Sequence, residues 1–374
     1  MESVALMGPV APGGLDRYRK AAGAWFMAKA DAELSDRELE GLARSKRELV
    51  ERLGEQLAEG LAEILGVERV SVAPLPDRGT FHAVFRVASP SGELFARTGV
   101  PGVPWPALDF GLEAWAARAL PSRGIPVPPV LHVDLSRERL PVDLLLAEAA
   151  RGHALPPGPG AAGAARSLGA CLARLHRVGA AGAGPIDPGS LDPGSPERGT
   201  PTGLHPAWSH FLLLRLDEHL EVCRDQGALS ANDLALLERA FARHAPRLDA
   251  VPVVLLHGDL GNPNVLVEGG RVTALLDWED ALAGDPMFDL AGRGTFVGNH
   301  ERREALLEGY LGELGAAGPG EDFELRYRLY CVRILLAKTV HRHRFGYSRT
   351  DRIPAADRLR PAVAALAESL EREG

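Results

Sequence analysis

From residue 35 the chain reads as one long amphipathic helix, with Leu42, Leu49, Leu53, Leu57, Leu61 and Ile64 along a single face. Ser35-Asp36-Arg37-Glu38 has the form of a capping box at its start. Such a helix either packs against the body that follows it or serves as a lid or dimer contact. Residues 1 to about 30 are punctuated by Gly and Pro and hold one apolar cluster, Trp25-Phe26-Met27. After residue 68 the pattern changes to strands at 69–75, 81–88 and 93–98, joined by turns at Asp77-Arg78-Gly79-Thr80 and Pro90-Ser91-Gly92. A helix carrying Glu113 follows, then strands at 131–135 and 142–148. The remainder is mainly helical, with segments at 166–178, 207–223, 231–241, about 300–312, 322–345 and 355–371. The Gly/Pro-rich stretch 181–203 predicts a long surface loop.

Composition narrows the setting. The chain has 374 residues, 45% hydrophobic and 25% charged, enough for two domains or one bilobal body with an extension. A net charge of −8 argues against a nucleic-acid partner and is compatible with a cationic substrate. Cys171, Cys223 and Cys331 stand far apart with no CxxC pair, which predicts reduced thiols. The start, Met1-Glu2-Ser3, lacks the features of a signal peptide, and no apolar run approaches a membrane span. The expectation is a cytoplasmic protein with no membrane partner, a monomer or homodimer.

The chemistry is concentrated in one stretch. An apolar run at 251–256 is interrupted by the polar loop His257-Gly258-Asp259-Leu260-Gly261-Asn262-Pro263-Asn264, and two short strands follow around the turn Glu268-Gly269-Gly270-Arg271. The second strand ends in Asp277-Trp278-Glu279. Asn264 is five residues past Asp259 (264 − 259 = 5), and Asp277 is thirteen past Asn264 (277 − 264 = 13). An acid, a neutral oxygen ligand and a second acid in that order suit phosphoryl transfer from a magnesium nucleotide. One group orients and deprotonates the attacking hydroxyl, and the other two hold the metal. A divalent-metal hydrolase using His257 and Asp259 is an alternative, although no second histidine-rich ligand motif accompanies them. A catalytically silent nucleotide-binding module is another.

This stretch resembles the active-site core of the aminoglycoside phosphotransferase family, relatives of choline kinases and more remotely of protein kinases. The pattern is His-Gly-Asp, four residues, Asn, then a strand ending in Asp. Gly284-Asp285-Pro286-Met287-Phe288-Asp289-Leu290-Ala291 resembles its continuation, and Leu172-Ala173-Arg174-Leu175-His176 a helix typical of it. The resemblance spans most of the chain from about residue 70, with its strong motifs at 257–291. It implies an α+β, bilobal protein-kinase-like fold: a helical extension at 1–66, a small antiparallel-sheet nucleotide-binding N-lobe at 67–148, and a larger, mainly helical catalytic and substrate-binding C-lobe at 149–374. It implies an enzyme that moves the γ-phosphate of ATP, with GTP an alternative, to a hydroxyl of a small molecule such as an aminoglycoside or another hydroxylated antibiotic, with Mg²⁺ as cofactor. A housekeeping kinase of an amino alcohol, sugar or nucleoside is the alternative.

Residue by residue, the resemblance makes Asp259 the catalytic base, Asn264 and Asp277 the magnesium ligands, and His257 and Asp289 structural supports. Gly79 matches the nucleotide-positioning loop, and Ala147 and Ala149 match the hinge whose backbone meets adenine. Arg97 stands where the family usually carries the phosphate-binding Lys, and Glu113 is the helical carboxylate that orients it. Arginine keeps the charge, but its planar fork is not interchangeable with an ammonium. For an aminoglycoside acceptor, Glu279, Asp280, Asp217, Glu218 and Glu221 are available acids. His176 is expected to be structural, and His341-Arg342-His343-Arg344 suits a helix C-terminus on dipole grounds.

Overall fold

The computed structural model describes residues 14–24, 26, 36–76, 79, 82–100, 106–192, 199–295, 302–315, 322–344 and 354–373. Helices α1 (Gly14–Ala22) and α2 (Asp36–Leu65) precede strands β1 (Ser71–Pro74), β2 (His82–Ser89) and β3 (Gly92–Gly99). Helix α3 (Pro106–Ala119) leads into β4 (Val130–Asp134) and β5 (Leu144–Glu148). Next come β6 (His153–Ala154), α4 (Ala162–Leu175), β7 (Ala183–Ile186), β8 (Gly203–His205), α5 (Trp208–Leu212), α6 (Leu216–Asp225) and α7 (Ala231–Asp249). Strands β9 (Val254–Leu256), β10 (Val265–Glu268), β11 (Arg271–Leu275) and β12 (Leu282–Gly284) precede α8 (Met287–Gly294), α9 (Arg303–Leu314), α10 (Phe323–Arg344) and α11 (Ala355–Glu373).

The first five strands form an antiparallel sheet in the order β1-β2-β3-β5-β4, covered on both faces. Leu53, Leu57 and Leu61 of α2 pack with Leu144 and Leu146 of β5 and with Leu94 and Ala96 of β3. Phe110 and Ala114 of α3 pack with Leu145 on the opposite face. Two-sided burial explains why Leu144-Leu145-Leu146 is an unbroken apolar run rather than an alternating one. Each buried leucine contributes roughly 1.5–3 kcal/mol, so α2 is held chiefly by its apolar stripe. That stripe lies against the sheet of its own chain. The capping box expected at 35–38 rests on Ser35 and on side chains outside the described residues.

A second, larger core joins α4 to α11 with the short strands. It also takes in Phe26, whose ring lies 4.8 Å from that of Phe211 and 3.6 Å from the Arg333 guanidinium. Arg19 of α1 adds a two-pronged pair with Asp187, with its shortest contact at 2.8 Å. The N-terminal extension is therefore divided: its first part packs on the helical body and α2 packs on the sheet.

Two local expectations change. The stretch 181–203 is not loop throughout, because β7 is wholly buried and pairs with β12 and β8. Its residues, Ala-Gly-Pro-Ile, are too few and too small to carry a strand signal, and its partners are remote in sequence. The amphipathic segment at 207–223 is two helices broken at Arg215, whose φ is 54°. Buried Arg333 supports the break by donating from Nε to the Leu212 carbonyl and from Nη2 to the Leu214 carbonyl, both at 2.6 Å. Unsatisfied helix-end carbonyls are thereby paired, while burial lowers the pKa of Arg333 to about 9. The three cysteines are free thiols, and no described helix is long and apolar enough to cross a membrane.

Candidate active site

The loop between β9 and β10 is held from beneath by one carboxylate. Asp289, in the first turn of α8, accepts the backbone N–H of His257 at 2.8 Å and that of Gly258 at 2.9 Å. His176 Nε2 lies 3.3 Å from the same side chain, and its Nδ1 lies 3.0 Å from the Tyr310 hydroxyl. Burial alone would raise Asp289, but the hydrogen bond and charge of His176 and the bonds from the loop hold its pKa below the usual value. The His257 ring is fully buried against Trp278, with Nε2 2.9 Å from the Leu276 carbonyl. It braces the loop against the end of β11.

Gly258 is required by geometry. Its φ is +82°, and a Cβ there would meet the Asp280 carbonyl oxygen at 1.9 Å. The tight approach fixes the turn that leads into Asp259. Asn264 Nδ2 donates to Asp259 Oδ2 at 2.9 Å and to the Asp259 carbonyl at 3.1 Å. Burial raises Asp259, Lys338 of α10 opposes that rise, and Asp277 adds to it.

The β10–β11 hairpin brings Asp277 to the same place. The Leu276 N–H donates to the Asn264 carbonyl at 2.9 Å, so Asp277 leaves the hairpin beside Asn264. Its backbone is in the left-handed region, φ 67° and ψ 68°, a strained setting for a residue with a side chain. The donor set fits a hard cation such as Mg²⁺: with both Nδ2 bonds directed at Asp259, the amide oxygen of Asn264 faces away from it, and Asp277 supplies carboxylate oxygens.

On the sheet side, Arg97 of β3 pairs across the ladder with Leu145, which places it on the face covered by α3. There it meets Glu113, one turn from Phe110, and the two form an ion pair through Nη1. Its Nη2 donates to Glu279 Oε2 at 2.9 Å and to Asp277 Oδ1 at 3.1 Å, and lies 3.2 Å from His82 Nδ1. Burial would lower the Arg97 pKa, but Glu113, Asp277 and Glu279 outweigh it and raise it. Burial pushes the Glu113 carboxyl upward against the pull of Arg97.

The remaining expected residues lie nearby or stand apart. Gly79 has φ +69°, and its carbonyl accepts Lys46 Nζ at 2.5 Å. Ala147 sits within β5 between β3 and β4, and the Ala149 N–H donates to the Glu93 carbonyl at 3.2 Å. Of the acids considered for a cationic acceptor, Glu279 is engaged by Arg97, Glu218 is paired with Arg215, and Asp217 and Glu221 are exposed on α6.

Sequence reasoning missed His82 and Lys338. His82 is two positions from Val84, the cross-strand partner of Arg97, so strand alternation gave a usable signal. Lys338 interrupts the buried run Leu335-Leu336-Ala337 to Thr339-Val340 of α10, where a lysine is unusual. Its ammonium donates to Thr295 Oγ1 at 2.8 Å, and burial lowers its pKa to about 7 against the pull of Asp259.

A model described as "phosphotransferase enzyme family" matches residues 71–329. The chain is 30% identical to hygromycin-B 4-O-kinase of Escherichia coli over 93 residues, 24% of this chain and 26% of that protein. It is 36% identical to viomycin phosphotransferase of Streptomyces vinaceus over 107 residues, 26% of this chain and 37% of that protein. The matched stretches thus span less than half the length of these relatives. A crystal structure of a thermostable mutant of aminoglycoside phosphotransferase APH(4)-Ia, in ternary complex with AMP-PNP and hygromycin B, superposes with a TM-score of 0.61 at 22% identity, covering 83% of this chain and 98% of that one. At that identity the likeness is one of fold, and it is the bilobal kinase-like fold the motifs imply.

Proposed function

The chain belongs to the phosphotransferase enzyme family, and on that premise we propose that it moves the terminal phosphoryl group of ATP to a hydroxyl of a small molecule. The observation that carries this reading is the convergence of Asp259, Asn264 and Asp277 opposite the Arg97–Glu113 pair. Asp259 accepts a hydrogen bond from the acceptor hydroxyl and takes its proton as the new P–O bond forms. The bond from Asn264 Nδ2 fixes the rotamer of Asp259, leaving one carboxylate oxygen for the acceptor. Asn264 and Asp277 would hold Mg²⁺, which when bound neutralises charge on the phosphate oxygens. Arg97 turns its guanidinium to the α- and β-phosphates, with Glu113 keeping it in place.

The transition state of phosphoryl transfer is loose, so positioning and electrostatics matter more than proton removal. Braced loop residues and a strained Asp277 suit that demand. We further propose an antibiotic-type acceptor, a reading supported by the two relatives named for hygromycin B and viomycin. The test is a magnesium-dependent transfer assay against hydroxylated antibiotics, nucleosides and amino alcohols, with products identified by mass spectrometry. A product one phosphoryl group heavier is expected. Phosphate release from an ester without ATP consumption would support a hydrolase instead.

A further inference from the structure

Arg97 departs from the lysine expected at its position, and its surroundings depart with it. An ammonium is a compact point charge, whereas a guanidinium presents two nitrogens in different directions within one plane. Arg97 uses both. Nη1 meets Glu113, which comes from α3. Nη2 meets Glu279, in the turn just after Asp277, at 2.9 Å. Glu279 is in turn 3.2 Å from Nδ1 of His82, a residue of β2 that is 1% exposed. The His82 ring lies 5.0 Å from that of Phe110, and the Arg97 guanidinium lies 5.9 Å from the same ring. The arginine is thus fixed at both ends of its fork, by acids from two different parts of the chain.

We propose that Glu279, backed by His82, is a positioning residue for Arg97: it is the second carboxylate anchor that an arginine needs when it stands in place of lysine. Nη2 also meets Asp277 Oδ1 at 3.1 Å, but Asp277 is the residue that would hold the metal. Without Glu279, only Glu113 is free to hold the guanidinium, which could then rotate about its Nη1 contact. Glu279 on the far side removes that freedom and keeps Nη2 directed to the metal-binding end of the site, beside Asp277. Glu279 therefore acts through Arg97 on the nucleotide, not on the acceptor. This assignment rests on the phosphotransferase reading, because it presumes that Arg97 grips phosphate.

A double-mutant cycle on the full chain tests it, with the dissociation constant of a fluorescent ATP analogue plus magnesium as the readout. Arg97→Lys is expected to weaken binding about tenfold and Glu279→Gln about fivefold, the range expected for residues sharing one network. The double variant is expected to bind no more weakly than Arg97→Lys alone, since Glu279 has no guanidinium left to position. Multiplied losses, or a loss below about twofold in Glu279→Gln, overturn the proposal. A purely structural Glu279 would lower the melting temperature without this coupling. If Glu279→Gln does not fold, Glu279→Asp, which keeps the charge, replaces it in the cycle under the same criterion. Wild-type protein that binds the nucleotide and transfers phosphate while the cycle is additive sinks this assignment alone. Wild-type protein that binds no magnesium nucleotide sinks the phosphotransferase reading and this assignment together.

Discussion

The His257–Asn264 loop with Asp277 and the Arg97 cluster are the two charged halves of one site, and they are built in opposite ways. Asp259, Asn264 and Asp277 lie within 19 residues (277 − 259 + 1 = 19) and are positioned by local turns and one hairpin. Arg97, Glu113, His82 and Glu279 come from β3, α3, β2 and the turn after β11, and they meet only because the sheet and the helical body pack together. The first half is a motif; the second is a consequence of the fold. Changes at Asp259 and at the residues that brace its loop should therefore act on chemistry and local stability, whereas changes at the metal-holding residues and in the cluster should act on nucleotide binding.

The largest expected effect comes from Asp259→Ala. It should lower kcat about 10²–10⁴-fold, the usual worth of a general base, while nucleotide affinity stays near wild type. Steady-state kinetics beside nucleotide titration checks both, and a parallel loss of affinity would erase the contrast between the halves.

Gly258→Ala comes next. With positive φ and a carbonyl oxygen 1.9 Å from the new Cβ, it should cost about 3 kcal/mol or more, read by urea denaturation.

Asp289→Asn should cost about 1–3 kcal/mol, because its charged acceptor for two loop N–H groups is removed. It also gives a pH signature. The folded-state pKa of Asp289 is lowered, so its contribution is present above the unfolded carboxyl value of about 3.9 and is lost as pH falls through the lower folded value. Stability measured from neutral pH down to about pH 3 should fall less steeply in the variant than in wild type.

Glu218→Gln should change stability by no more than about 0.5 kcal/mol, since its pair with Arg215 is on an exposed helix face. A large rise in acceptor KM in this variant would instead mark α6 as part of the acceptor site.

What was legible in the sequence follows the same division. Spacing and turn residues gave the β10–β11 hairpin and the order of Asp259, Asn264 and Asp277, because the forces that place them act over a few residues. Apolar periodicity gave α2, because it buries a stripe long enough to repeat, and apolar runs bounded by turns gave the strands of the first sheet. That they form one antiparallel sheet followed from the family resemblance. The strand β7 was not legible, since four small residues owe their burial to β12 and β8. Glu279 is one of the acids the sequence offers a cationic acceptor, and its side chain instead closes on Arg97, 182 positions away. Nor did Phe26 announce that it would enter the helical core against Arg333. In each case the deciding partner is distant in sequence, and a side chain's type does not name its partner.

The most direct test is a crystal structure with magnesium and a non-hydrolysable ATP analogue. The expected result is an ion held by the Asn264 amide oxygen and the Asp277 carboxylate against the phosphates, with an Asp259 oxygen open toward the acceptor cleft. A metal bound away from Asn264 and Asp277, or Asp259 turned from the γ-phosphate, would contradict it.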